Sequence, residues 1–155
     1  MDLMSEKTAA NRKLIERYPF LMPHNRWTDK IPEDFDYSYT ELDAMPYGWR
    51  KAFGEQLCDE IREELIRVGY LEKYRITQIK EKYGSLRWYD FGCTEKMAHE
   101  IIPRYTRLSK KICIVCGAPA TKKYLGWISP SCDACAAEID VEEYFVPIEE
   151  SEGGS

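Results

Sequence analysis

Six cysteines are the residues of this chain best suited to chemistry, and four of them share one pattern. Cys113, Cys116, Cys132 and Cys135 spell C-x2-C-x15-C-x2-C. Two residues between cysteines let one tight turn present both sulfurs to a metal, and two such turns supply the four thiolates of a tetrahedral site. A redox CxxC needs a single pair. Two pairs behind a polar N-terminus with no signal segment favour metal over disulfide. We therefore expect one zinc ion on these four cysteines. Four thiolates saturate zinc and leave no position for water, so the expected role is structural and not that of a Lewis acid. Gly117 lets the backbone fold around the first turn.

The other reactive residue types give no comparable pattern. Cys58 lies in an amphipathic helical stretch and reads, like Cys93, as an ordinary thiol. His24 and His99 are the only histidines, and neither is spaced to a second ligand. The chain has no GxSxG, HExxH, Walker or GxGxxG motif. Carboxylate pairs such as Asp34 with Asp36, or Glu63 with Glu64, are expected by chance at this acid content. No catalytic residue is assigned.

These cysteines need a scaffold, and the pattern predicts an α+β fold: a small helical and β-hairpin domain over 1–110, a C-terminal zinc ribbon over 111–137, and an acidic tail over 138–155. A first helix is expected over 6–17, stopped ahead of Pro19. Residues 18–43 are irregular and carry Tyr18, Phe20, Trp27, Phe35, Tyr37 and Tyr39 among prolines; such a loop is most simply packed down by its own aromatics. A second helix is expected over 46–68. Pro46 suits its first position, Trp49, Phe53, Leu57, Ile61, Leu65 and Val68 form its core stripe, and Gly69 ends it. Strands over 74–80 and 86–91 flank a turn at 81–85 that contains Gly84. Thr94 then caps a helical pattern through Met97, Ile101, Tyr105 and Leu108, in which Pro103 forces a kink or two short helices. Tyr124, Trp127 and Ile128 suit a strand pair between the two metal turns, and the end beyond Pro147 reads as disordered.

The net charge of −5 conceals a division along the chain. Residues 73–123 carry 12 bases against 4 acids, a local net of +8, whereas residues 133–155 carry eight acids and no base. Each surface therefore attracts a different partner. In the hairpin, Lys80, Lys82 and Arg87 alternate with Tyr83, Trp88 and Tyr89, a composition able to contact phosphates while aromatics stack on bases. The simpler reading puts the aromatics in the core and the charges in water, and the sequence leaves open which of them share a face. In the tail, Tyr144, Phe145, Val146 and Ile148 offer apolar anchors for a partner protein, with packing onto the ribbon as the alternative. No apolar run approaches the ~20 residues that span a bilayer, so membrane insertion is not expected and a cytoplasmic location is.

Lys80, Glu81, Lys82, Tyr83, Gly84, Ser85, Leu86, Arg87, Trp88 and Tyr89, followed by the cysteine pairs with Gly126 and Trp127 between them, form a recurring arrangement. It resembles uncharacterised bacterial and phage-associated proteins in which a KEKFGxLRFY-like segment precedes a four-cysteine ribbon with a Gly-Trp between the metal turns. Tyr83 stands where those proteins have phenylalanine, and Trp88 replaces their second aromatic. The resemblance spans roughly residues 45–136; it implies the ribbon and its boundary and carries no mechanism. The leading expectation is thus a non-enzymatic zinc protein acting by macromolecular interaction, most simply with a protein, as a phage-derived inhibitor of host defence would. Nucleic-acid binding through 73–123 is the alternative, and an enzyme with its site in the aromatic loop is the third class.

Overall fold

The structure is a computed structural model that describes residues 3–25, 27–124, 129–138 and 145–148. Helix α1 spans Leu3–Arg17, three residues longer at its start than the pattern suggested, since nothing before Glu6 breaks a helix. It buries Asn11 and Ile15. Its C-terminal end is pinned to a later helix: the Tyr18 hydroxyl donates to Asp59 Oδ1 at 2.6 Å, Arg17 pairs with the same oxygen at 2.9 Å, and Arg62 Nε donates to the Arg17 carbonyl at 2.9 Å.

The aromatic loop is packed at its two ends, as expected, while residues 27–34 between them are exposed. Short 3-10 turns at Pro19–Leu21 and Glu41–Ala44 place Phe20, Leu21 and Leu42 fully inside, and a capping box between Thr40 and Asp43 fixes the second turn. Phe35 and Tyr37 pack together with ring centroids 4.9 Å apart. Trp27 and Tyr39 depart from the expected packing, with 92% and 45% of their surfaces exposed.

The long second helix is three consecutive segments: α2 (Tyr47–Trp49), a π-helical turn (Arg50–Gly54) and α3 (Glu55–Arg67). Pro46 precedes the helix and does not open it; with ψ 140° it stands as the N-cap, and its carbonyl takes the first intrahelical bond, from Arg50 N–H at 2.9 Å. Trp49, Phe53, Leu57, Ile61 and Leu65 are buried as the stripe required, whereas Val68 lies past the end of α3 and is exposed. Gly69, at φ 71°, closes the helix while Tyr70 N–H reaches back to the Leu65 carbonyl at 2.9 Å, a Schellman stop.

Strands β1 (Ile76–Lys82) and β2 (Ser85–Asp90) form an antiparallel hairpin. Its turn is two residues long, shorter than the five expected. Tyr83 (φ 54°) and Gly84 (φ 83°) both adopt positive φ, the geometry that matches the twist of paired strands. Thr94 Oγ1 then accepts from Met97 N–H at 3.1 Å, as a cap should. Pro103 follows directly on a π-helical turn, Met97–Ile101, at the start of α4 (Ile102–Ser109), where Ile102 N–H bonds the Met97 carbonyl.

The C-terminal part contains β3 (Lys122–Tyr124), β4 (Ser129–Ser131), α5 (Asp133–Ala137) and β5 (Phe145–Pro147). The strand pair expected between the metal turns is β3 with β4. β5 pairs with the other edge of β3, giving the order β4-β3-β5. Part of the acidic tail therefore joins the ribbon sheet, because β3 would otherwise leave a free row of backbone donors and acceptors. Ile148 N–H continues the contact to the Thr121 carbonyl at 3.1 Å. Tyr144 and residues 149–155 lie outside the described residues, as do Gly126, Trp127 and Ile128.

One core runs through the first 110 residues, built from Tyr18, Phe20, Leu57, Ile61, Leu65, Tyr74, Leu86, Trp88 and Tyr105 among others. Ile112 and Ile114, which flank the first metal cysteine, pack against that same core. No helix among the described residues is long and apolar enough to cross a membrane.

Candidate metal centre

Cys113 ends a short stretch that leaves α4, reverses through residues 114–117 and returns. Gly117 N–H donates to the Cys113 carbonyl at 3.0 Å, and Cys113 N–H donates to the Ala118 carbonyl at 2.7 Å. Gly117 sits at φ 86°, which a residue with a Cβ adopts only under strain. The second turn opens α5: Cys132 is its N-cap, and its sulfur accepts from Cys135 N–H at 3.4 Å. The two turns are tied by Ile114 N–H to the Pro130 carbonyl at 3.0 Å and by Thr121 N–H to the Ser131 carbonyl at 2.9 Å.

This framework brings the sulfurs of Cys113, Cys116, Cys132 and Cys135 within 4.8 Å of one another. A cation about 2.3 Å from each of four tetrahedral sulfurs would hold them about 3.8 Å apart. Cys116 and Cys132 stand at 3.6 Å, too far for a disulfide and right for a shared metal. All four predicted ligands thus meet in one cluster able to hold a metal ion.

The electrostatics fit that role. Burial raises the Cys113 thiol, yet backbone N–H groups of Cys116, Cys132 and Val115 outweigh it and bring the value down to about 6. Cys135 moves up, through burial and through hydrogen bonds with Cys132, Cys116 and Cys113. A cation at the centre would favour the thiolate form of its sulfur ligands. The remaining thiols behave otherwise. Cys58 is fully buried and pushed up by burial, and Cys93 is raised by burial and by nearby Asp90 and Glu64.

Protein-family models, curated proteins and solved structures were compared with the chain, and none matches.

Two glycines that the sequence reading passed over or credited only locally set the centre into the fold. Gly48, in α2, donates its N–H to the Ile114 carbonyl at 2.9 Å. A Cβ on Gly48 would fall 2.1 Å from the Cys113 carbonyl oxygen, and one on Gly117 would fall 2.7 Å from the Gly48 carbonyl oxygen. The helix start and the first metal turn therefore touch backbone to backbone. Trp49, fully buried, adds a bond from Nε1 to the Ile112 carbonyl at 3.0 Å. A glycine just inside an apolar helical pattern was the available signal, since it lowers helix propensity without an evident reason.

The hairpin residues divide. Trp88 is 6% exposed, shares a face with Ile79 and Leu86, and donates from Nε1 to the Tyr74 hydroxyl at 2.9 Å; that hydroxyl in turn donates to Asp90. Lys80, Lys82 and Arg87 lie on the opposite face with Tyr89. Of the tail anchors, Phe145 lies in β5, and Val146 and Ile148 are half-buried.

Trp27 is the surface feature the sequence did not single out. The loop that carries it is closed by Asn25 N–H to the Lys30 carbonyl (2.9 Å) and Asp29 N–H to the Asn25 carbonyl (2.8 Å). Asn25 Oδ1 accepts from the backbone of Trp27 at 2.8 Å and of Thr28 at 3.1 Å. Arg75 Nε braces Asp29 at 3.1 Å while its other nitrogen holds the Glu72 carbonyl at 2.9 Å.

Proposed function

We propose that Cys113, Cys116, Cys132 and Cys135 hold one zinc ion in a structural role, and that the protein is a non-enzymatic, cytoplasmic binding protein whose partner is another protein. A sulfur-only tetrad suits zinc among the common divalent ions, and with all four positions filled by protein the ion supplies folding energy and no open site for chemistry. The observation that carries the protein-binding reading is Trp27. A fully exposed tryptophan on a loop closed by its own hydrogen bonds offers a large apolar anchor that loses little freedom on binding, the feature typical of interface hot spots. The likeness to phage-associated proteins makes inhibition of a host defence protein the form of binding we favour.

Metal analysis tests the first part: one zinc per chain, lost in Cys116→Ser, supports it, and iron or no metal refutes it. The second part is tested by affinity capture from the native host with the wild-type chain and with Trp27→Ala as parallel baits. Proteins retained by the first and lost by the second are then purified and bound again; identical retained sets refute the anchor.

A further inference from the structure

The outer face of the hairpin gathers cations and an aromatic ring on one side of the sheet, on elements separate from the Trp27 loop. The β1–β2 register sets Gln78 opposite Tyr89, Lys80 opposite Arg87 and Lys82 opposite Ser85. Cross-strand partners share a face, so this face presents Lys80, Lys82, Arg87 and Tyr89 together and no carboxylate; Glu81 falls on the other side, opposite Leu86. Two cations directly opposite one another destabilise a sheet. Here Lys80 and Arg87 occupy such a pair, and among the described residues neither they nor Lys82 forms an ion pair. Arg87 adds an unmet need of its own, because its buried Nε has no hydrogen-bond partner. The aromatics sit beside the charges: Lys80 Nζ lies 5.8 Å from the Tyr89 ring and Lys82 Nζ 5.7 Å from the Tyr83 ring. Tyr83 is 72% exposed at the turn and Tyr89 is 40% exposed on the strand.

We propose that this face binds single-stranded nucleic acid. Phosphates would meet Lys80, Lys82 and Arg87, relieving their mutual repulsion, while bases stack on Tyr89 and Tyr83. An acidic peptide would satisfy the cations and leave the tyrosines without a role. A duplex would offer phosphates but keep its bases out of reach of the rings.

The test is fluorescence anisotropy with a labelled 20-nucleotide oligothymidylate and the full zinc-loaded chain. Three phosphate contacts on a single strand give a slope of log K against log salt of about −2, so affinity falls about 20-fold between 50 and 200 mM salt. Lys80→Gln or Arg87→Gln should each flatten that slope by about 0.7. Tyr89→Leu should weaken binding about fivefold or more at unchanged slope. Lys13→Gln on the exposed side of α1 and Trp27→Ala should change nothing, which separates this face from the protein-binding anchor. Equal loss of binding on Lys13→Gln and Lys80→Gln overturns the proposal. So does tighter binding to a 20-base-pair duplex, or binding to polyglutamate that matches the oligonucleotide and ignores Tyr89→Leu. Thermal unfolding of each variant within a few degrees of the parent confirms that the fold is intact, and Arg87→Lys should restore most of the slope that Arg87→Gln removes.

Discussion

Replacing Gly48 by alanine sets two opposed effects against each other. In an ordinary helix the change stabilises by about 1 kcal/mol, because alanine loses less backbone freedom on folding. At Gly48 the new methyl group meets the Cys113 carbonyl oxygen at 2.1 Å and the Ile114 carbonyl carbon and oxygen at 2.6 and 2.7 Å. Those atoms are backbone and cannot rotate away. Ordinary contact would require the helix start and the metal turn to separate by about 1.3 Å, which breaks the bond from Gly48 N–H to Ile114 and stretches the one from Trp49 to Ile112. Overpacking of this kind costs about 1–3 kcal/mol and each lost bond about 1 kcal/mol, so the clash outweighs the propensity gain.

The expected net loss is about 2–3 kcal/mol, or a melting temperature lower by about 5–10 °C for a chain of this size. Because Cys113 itself is displaced, zinc affinity measured by chelator competition should fall about tenfold or more, the scale on which supporting contacts act at metal sites. Gly54→Ala is the control. Its Cβ would approach only the Arg50 side chain at 3.3 Å and Met45 Sδ at 3.6 Å, groups that can yield, so it should be neutral or slightly stabilising. A Gly48→Ala protein with unchanged melting and unchanged zinc affinity would refute the docking of the metal turn on the helix.

Cys116→Ser should abolish zinc binding and speed hydrogen exchange across α2 and residues 111–124, while α3 stays protected because its stripe lies in the main core; exchange mass spectrometry reads both. Tyr74→Phe leaves the buried Trp88 Nε1 without an acceptor and should cost about 1–3 kcal/mol in urea unfolding, more than Tyr89→Phe on the outer face. Glu64 is drawn from its ordinary 4.5 down to about 2, first by hydrogen bonds from Arg67, then by Thr94, against the opposing effect of burial. Its contribution is therefore present above pH 4.5 and is lost as pH falls toward 2, so the stability difference between wild type and Glu64→Gln should shrink across that window in unfolding titrations.

The four cysteines were legible because ligand spacing is a local property: two turns of fixed size need no tertiary information. The α3 stripe was legible for the same reason, since a period of three to four residues identifies one buried face. The face assignment in the hairpin was not. A shift of one residue in register exchanges the two faces, and the register followed from Tyr83 joining Gly84 in a two-residue turn, a positive φ that tyrosine seldom adopts. Pro46 was placed one position too far into the helix because proline suits both the cap and the first turn. β5 was hidden by the acidic composition of its surroundings, although a three-residue strand needs only one free edge to pair with. Trp27 was counted as a packing aromatic with its neighbours; its loop is instead braced from outside, where Arg75 holds Asp29 from 46 residues further along the chain.

The arrangement of the core indicates what a metal ion held by the four cysteines would add at this place. Strands β3, β4 and β5 are three residues each. Among the described residues beyond 110, only Cys113, Pro130 and Ala136 are buried apolar side chains. The described part of the sheet is held by backbone pairing of β3 with β4 and β5 and by contact with the main core. Two further sources bear on the same residues: the bond energy that a cation held by the four thiolates would supply, and the backbone contact of the first cysteine turn with Gly48, Trp49 and the main core. A metal ion would fix the turn that the helix start contacts, and the helix start holds Cys113 where the second pair can reach it. Ser109, four residues before Cys113, carries this rigidity to the hairpin, since its buried hydroxyl accepts from Leu86 N–H at 2.8 Å on the free edge of β2. The C-terminal part is accordingly a bracket between α2, α4 and the hairpin, and a metal ion held by its cysteines would steady the end of α4 against which the hairpin is built.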